Sequence, residues 1–233
     1  LYKDEVRLLG RELGLPQALL DGHPLPGPGL GIRLLCHDGS PAPEAFADQP
    51  KLEEELAEMG LCGRILPVKS VGVQGDERSY RHPAAVWSCE GILPEWATLN
   101  AVANRLVNQL GDINRVMISL EDLSGETFEL RKTYATREGL DRLRRVDALL
   151  HRRIAHIAEI WQAPVISLPL FDRKGNQAFV LRPVCSKDAM TADVYPIDFG
   201  FLAELAKEVR AVPGAGVLFY DVTTKPPGTI EWE

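Results

Sequence analysis

The stretch Pro164-Val-Ile-Ser-Leu-Pro-Leu-Phe171, Asp172-Arg-Lys-Gly-Asn176, Gln177-Ala-Phe-Val-Leu-Arg-Pro-Val-Cys185 reads as strand, turn, strand. Two apolar, β-branched runs flank a polar turn that carries glycine and asparagine. The same order occurs earlier in the chain. There an apolar strand, Ile65 to Val73, meets the turn Gln74-Gly-Asp-Glu-Arg78 and a second strand, Tyr80 to Ser88. After each pair comes a helical stripe and a closing strand. The first stripe is Leu99, Val102, Leu106 and Leu110, before a strand from Arg115 to Leu120; the second is Phe201, Leu205 and Val209, before a strand from Gly216 to Val222. Anchors align between copies: Pro67-Val-Lys-Ser70 with Pro164-Val-Ile-Ser167, and Ile113 to Ser119 with Ala215 to Asp221.

A helix is expected before each copy. The first is short, Pro50 to Met59. The second is long, with Leu143, Val146, Leu150, Ile154, Ile157 and Trp161 spaced by three or four. The fold class is therefore α+β: two repeated α-β-β-α-β units with helices packed on small mixed sheets. A polar connector, Ser124 to Thr133, separates them.

Composition agrees with a folded chain. Of 233 residues, 45% are apolar and 25% charged, which excludes disorder, collagen-like repeats and coiled coil. No stretch of about 18 apolar residues is present to span a membrane. The net charge of -7 argues against a surface that grips nucleic acid throughout. Arg142, Arg144, Arg145, Arg152 and Arg153 line the long helix, but Asp141 and Asp147 dilute them and no stacking aromatics are interleaved. That face is read as solvated or partner-facing. Cys36, Cys62, Cys89 and Cys185 are widely spaced without a CxxC pair, which reads as reduced thiols in a cytoplasmic protein. His151 and His156, five apart, do not share a helix face as metal ligands would. Before the repeats, His23-Pro-Leu-Pro-Gly-Pro-Gly-Leu-Gly31 is barred from helix by its prolines and reads either as a linker or as an anion-binding loop.

Four stretches together resemble one family. They are Asp4-Glu-Val-Arg7 with Glu12-Leu-Gly-Leu-Pro16, His23 to Arg33, Ser70 to Tyr80, and the terminal Lys225-Pro-Pro-Gly-Thr-Ile-Glu-Trp-Glu233. All are similar to the C-terminal dimerisation domain of GMP synthetase, in the longer form that carries two subdomains. Leu25 and Ala189 stand where that family usually has phenylalanine. The family's SGGxDS pyrophosphate loop and its glutaminase nucleophile are not in this sequence. The opening at Leu1 without methionine reads as a start partway along a longer protein.

The resemblance implies a part of a glutamine-hydrolysing ligase in GMP biosynthesis. ATP would adenylate XMP and ammonia would displace AMP to give GMP. This region would bind XMP and organise subunits or subdomains, and by itself would be inactive. The alternative is an assembly module without a self-sufficient substrate site. No catalytic residue or cofactor is expected here; ATP and Mg2+ would belong to an ATP pyrophosphatase domain, and ammonia to a glutaminase domain, of the same enzyme. Carried over by motif, Asp76, Arg78, Lys225, Glu231 and Gln162 are the XMP contacts. Gly27, Gly29 and Arg33 would form a lid or phosphate loop. Residues 1–33 would end the ATP pyrophosphatase domain and form the Pro/Gly linker, 34–123 the first subdomain, and 124–233 the second with the KPPGTIEWE segment. The turn motif survives in one copy and the terminal motif in the other, so an internal pseudo-dimer with one composite site is expected, a homodimer through another face being compatible. Trp232 should be buried, which would make the tail ordered.

Overall fold

The structure, a computed structural model, describes residues 3–20, 29–74, 77–186 and 190–233. Two short helices open it, α1 (Lys3–Glu12) and α2 (Gln17–Leu20), followed by a 3-10 turn at Gly29–Arg33. Val6, Leu9 and Leu13, which are spaced by three or four along this opening segment, are exposed. The first half then runs α3 (Gln49–Ala57), β1 (Leu61–Ile65), β2 (Ser70–Gln74), β3 (Glu77–Ser88), α4 (Trp96–Gln109) and β4 (Ile113–Ile118). The second half runs β5 (Glu129–Leu130), α5 (Arg137–Ile154), β6 (Val165–Phe171), β7 (Gln177–Leu181), β8 (Val184–Cys185), β9 (Asp193–Val194), α6 (Phe199–Arg210) and β10 (Ala215–Asp221).

One eight-stranded mixed sheet carries both halves, in the order β1-β3-β4-β10-β7-β6-β5, with β2 paired to β3 off that path. β3 and β4 are parallel, as are β7 and β10, and the two pairs meet through antiparallel β4 and β10. Outside them β1 lies antiparallel to β3, and β6 to β7. The sense of pairing is thus the same read from either side of the β4–β10 contact. Fold class is α+β, as the periodicities require.

Helices α3, α4, α5 and α6 lie on one face, where Leu52, Leu106, Leu143, Leu150, Leu205 and Val209 meet inward residues such as Val116, Phe179 and Leu218. The alternate residues of the same strands, among them Ala85, Met117, Val180 and Phe219, face the other way. A sheet covered on both faces explains why these strands read as continuous apolar runs. Helix starts are set locally: Thr136 Oγ1 accepts from Gly139 N at 3.1 Å, and Asp198 Oδ1 from Phe201 N at 2.9 Å.

Three expectations are corrected. The strand read as Ile65 to Val73 is two, β1 and β2, with Leu66–Lys69 between them; Pro67 cannot donate to a ladder and breaks the run. Part of the polar connector is an edge strand, because Glu129 and Leu130 pair with Phe171 and Leu170. Two of the four thiols are not free. Antiparallel pairing sets Cys62 opposite Trp87, two residues from Cys89, and the two cysteines form a disulfide with a Cα–Cα distance of 5.5 Å.

Candidate functional site

After β10 the chain does not fray. Val73 N donates to Pro227 O at 2.6 Å and Val71 N to Trp232 O at 2.9 Å, so the last residues lie along the edge of β2 that β3 leaves open. Upstream, Lys225 and Ala192 exchange both backbone bonds, at 2.8 and 3.0 Å. The terminal segment therefore touches both halves. It packs Trp232, wholly buried, against the helix-free face of the sheet.

Beneath this segment sits a buried ionic cluster. Asp221, the last residue of β10, accepts from Arg115 Nη1 of β4 at 2.9 Å, and Arg182 Nη1 lies 3.0 Å from the same oxygen. Trp232 Nε1 donates to it too, at 3.1 Å. Neither arginine nor the aspartate exposes any side chain. Burial works to raise the Asp221 carboxyl, but Arg182, Arg115 and the Thr223 N–H outweigh it and hold the carboxyl below its ordinary range. Burial lowers Arg115 to about 9, which leaves it cationic at neutral pH. Gly228 passes over this cluster so closely that a Cβ there would lie 3.2 Å from Arg115 Nη1 and 3.3 Å from Arg182 Nη2.

Glu231 is half-buried beside the cluster. Burial pushes its carboxyl above the usual range, against the downward pull of Arg33, Arg115 and Arg182. Its Oε2 is buried without a hydrogen-bond partner, as are Arg182 Nε and Nη2. A buried carboxylate acceptor left without a partner, on a half-buried residue, is chemically suited to a ligand that offers hydrogen-bond donors.

The structure places the anticipated residues unevenly about the terminal segment. A small apolar cluster of Val184, Ala192 and Ile230, with Trp161 against it, joins three of them: Gln162 follows Trp161, Glu231 follows Ile230, and Lys225 is bridged to Ala192. Gln162 is itself buried and paired with Val184. Arg78 is exposed on β3, opposite the Val73 that holds Pro227. Gly29 opens the 3-10 turn with φ of +60°. Arg33, which closes that turn, is buried and ion-paired to Asp147 of α5 at 3.1 Å, so its side chain anchors the turn. Asp76 and Gly27 lie outside the described residues. Next to the same segment, a cavity of about 750 Å3 is lined in part by Arg81, Asn104, Asn108, Thr224, Pro226 and Pro227. Among the described residues, no three His, Cys, Asp or Glu side chains group to hold a metal, and no helix is long and apolar enough to cross a membrane.

Sequence reasoning missed Arg115, Arg182, Asp221 and Thr229. The available signal was Asn114-Arg115 inside the run Ile113 to Ile118: charge is rarely buried on both faces of a central strand unless paired.

The family described as GMP synthase C terminal domain matches residues 60–130 and 152–232. A probable GMP synthase [glutamine-hydrolyzing] of Leptospira interrogans is 39% identical over 239 residues, which cover 100% of this chain and 39% of that protein. A GMP synthase [glutamine-hydrolyzing] of Dictyostelium discoideum is 29% identical over 282 residues, with 99% of this chain and 39% of that protein covered. A GMP synthase [glutamine-hydrolyzing] of Synechocystis is 36% identical over 145 residues, covering 55% of this chain and 27% of that protein. The chain spans 39% of the length of the Leptospira relative.

Proposed function

Since the chain belongs to the GMP synthase C-terminal domain family, we propose that it is the substrate-binding and assembly part of a GMP synthase, holding XMP while glutamine-derived ammonia replaces its activated oxygen. The observation that carries this reading is the docked terminal segment, which sets Glu231 beside Arg33, Arg115 and Arg182 with a buried carboxylate oxygen left unpaired.

XMP offers a phosphate dianion, a ribose diol and a dioxo-purine. Arg78 supplies a guanidinium for the phosphate, as its fork matches paired oxygens. Lys225, fixed through its backbone to Ala192 and followed by two prolines, adds a point charge. Asp76 and Glu231 accept from ribose or purine donors, and Gln162 contributes an amide. Gly27, Gly29 and Arg33 keep the role that the family resemblance implies, a lid or phosphate loop. ATP and Mg2+ act in an ATP pyrophosphatase domain and ammonia arises in a glutaminase domain of the same cytoplasmic enzyme; this chain by itself is inactive. The units 34–123 and 124–233 act as an internal pseudo-dimer that builds one nucleotide site.

Calorimetric titration of this chain with XMP tests the reading, with IMP for comparison and Lys225→Ala as control. Binding that prefers XMP and weakens in the variant supports it. A folded chain that binds no XMP overturns a self-sufficient site and leaves assembly as the role.

A further inference from the structure

We infer that Arg115 is a positioning residue for this nucleotide site: from the first half of the sheet, it fixes the main chain at Thr229 and Glu231 and so sets where that carboxylate is presented. The inference rests on the reading of Glu231 as a nucleotide contact.

The geometry is specific. Arg115 Nη2 is set among four acceptors: Val71 O at 2.8 Å, Thr229 Oγ1 at 2.7 Å, Thr229 O at 3.0 Å and Glu231 O at 2.9 Å. Three of the four belong to residues 229–231. Its Nη1 binds Asp221, and its Cζ stands 4.9 Å from the centre of the Trp232 ring. One planar cation therefore grips the residues at positions 229, 231 and 232 at once, while Glu231 Oε2 has no hydrogen-bond partner of its own. With no partner at that oxygen, the carboxylate's position follows from its backbone, and the backbone is held by Arg115. A lysine ammonium lacks the rigid fork needed to serve Asp221 and the tail together.

The clamp also joins the two halves. Arg115 corresponds in the repeat to Val217, and Asp221 to Ser119, so neither copy carries both groups. Only the antiparallel contact of β4 with β10 brings them into one cluster.

The test uses the full-length protein that contains this chain, with steady-state kinetics in XMP and in ATP and urea unfolding of each variant. Glu231→Gln, Arg115→Lys and Thr229→Val are compared, with Thr229→Ser to restore the hydroxyl. Thr229→Val keeps the side-chain shape and leaves the buried charges in place, so it reports on the clamp even where Arg115→Lys fails to fold. On the order of a tenfold rise in KM for XMP is expected from Thr229→Val, with KM for ATP unchanged and recovery in Thr229→Ser. Combined with Glu231→Gln, Thr229→Val should add nothing further, because both act on one carboxylate. If Glu231→Gln raises KM for XMP but Thr229→Val does not, or if the two effects simply add, the positioning role is overturned and the nucleotide site stands. If Glu231→Gln itself leaves KM for XMP unchanged, the reading of the site falls and the positioning role with it.

Discussion

Arg115 Nη1 lies 2.9 Å from Asp221 Oδ2, both side chains are wholly buried, and the two residues come from the adjacent central strands of opposite halves. Arg182 shares the same oxygen, so one carboxylate balances two guanidiniums. Asp221→Asn removes the carboxylate that both guanidiniums bind and should cost about 3–5 kcal/mol in urea unfolding. A loss below about 1 kcal/mol would show that the cluster is not needed for the fold. The pH dependence has a definite sign. Because the folded-state carboxyl is held below its ordinary value, its stabilisation is complete above the unfolded value near about 4 and fades as pH falls through the lower, folded one. The wild type should therefore lose more stability than Asp221→Asn between neutral pH and the acid range below about 4.

Trp232 is the penultimate residue and is wholly buried. Its ring packs with residues such as Val217 and Phe219 on the helix-free face, and its Nε1 donates to Asp221. Trp232→Ala should lower stability by about 3–5 kcal/mol, read from the denaturant midpoint. An unchanged midpoint would mean that the tail contributes nothing to the folded state.

Much of this arrangement was legible in the residues. Period-two and period-three-to-four patterning gave the strands and helices of both halves, since their burial follows directly from spacing. The same reasoning expected an ordered tail from Trp232, because a terminal indole needs a surface to cover. Other features depend on pairing across the sheet, which no local pattern encodes. The edge strand at Glu129–Leu130 and the Cys62–Cys89 bond arise from which strands become neighbours, whereas the break at Pro67 is local, a proline that cannot donate to a ladder. The Arg115–Asp221 pair joins residues 106 apart in sequence, and its visible trace was a charge inside an apolar run. The burial of Arg33 has a related origin. The residue follows a Pro/Gly loop, yet Asp147 on α5 draws it inward.

The disulfide makes its own prediction. Cys62 and Cys89 are 27 residues apart, and closing a loop of that length stabilises the folded state by about 3 kcal/mol through the unfolded chain. Dithiothreitol should lower Tm by roughly 5–10 °C, and Cys62→Ser/Cys89→Ser should show the lower Tm without reductant. Alkylation with mass spectrometry checks the bond directly: only Cys36 and Cys185 should be modified in the unreduced, unfolded chain. Modification of all four would place the two thiols in the reduced state read from the sequence.

Glu231 links stability to binding in the opposite sense to Asp221. Burial raises its carboxyl above the ordinary value although Arg33, Arg115 and Arg182 pull it down. A carboxyl raised on folding costs nothing at low pH, where it is protonated in both states. It destabilises progressively as pH climbs from the unfolded value near about 4.3 through the folded one, and by a constant amount above that. Glu231→Gln keeps the shape and one acceptor but removes the charge. The variant should be more stable than wild type at pH 7, and the gap should close as pH falls toward 4. XMP affinity should move the other way, dropping in the variant because the amide cannot accept at both positions. Thermal unfolding across pH 4–8, run beside an XMP titration, reads both effects. A variant less stable than wild type at pH 7 would mean that the three guanidiniums outweigh burial and that Glu231 serves the fold first.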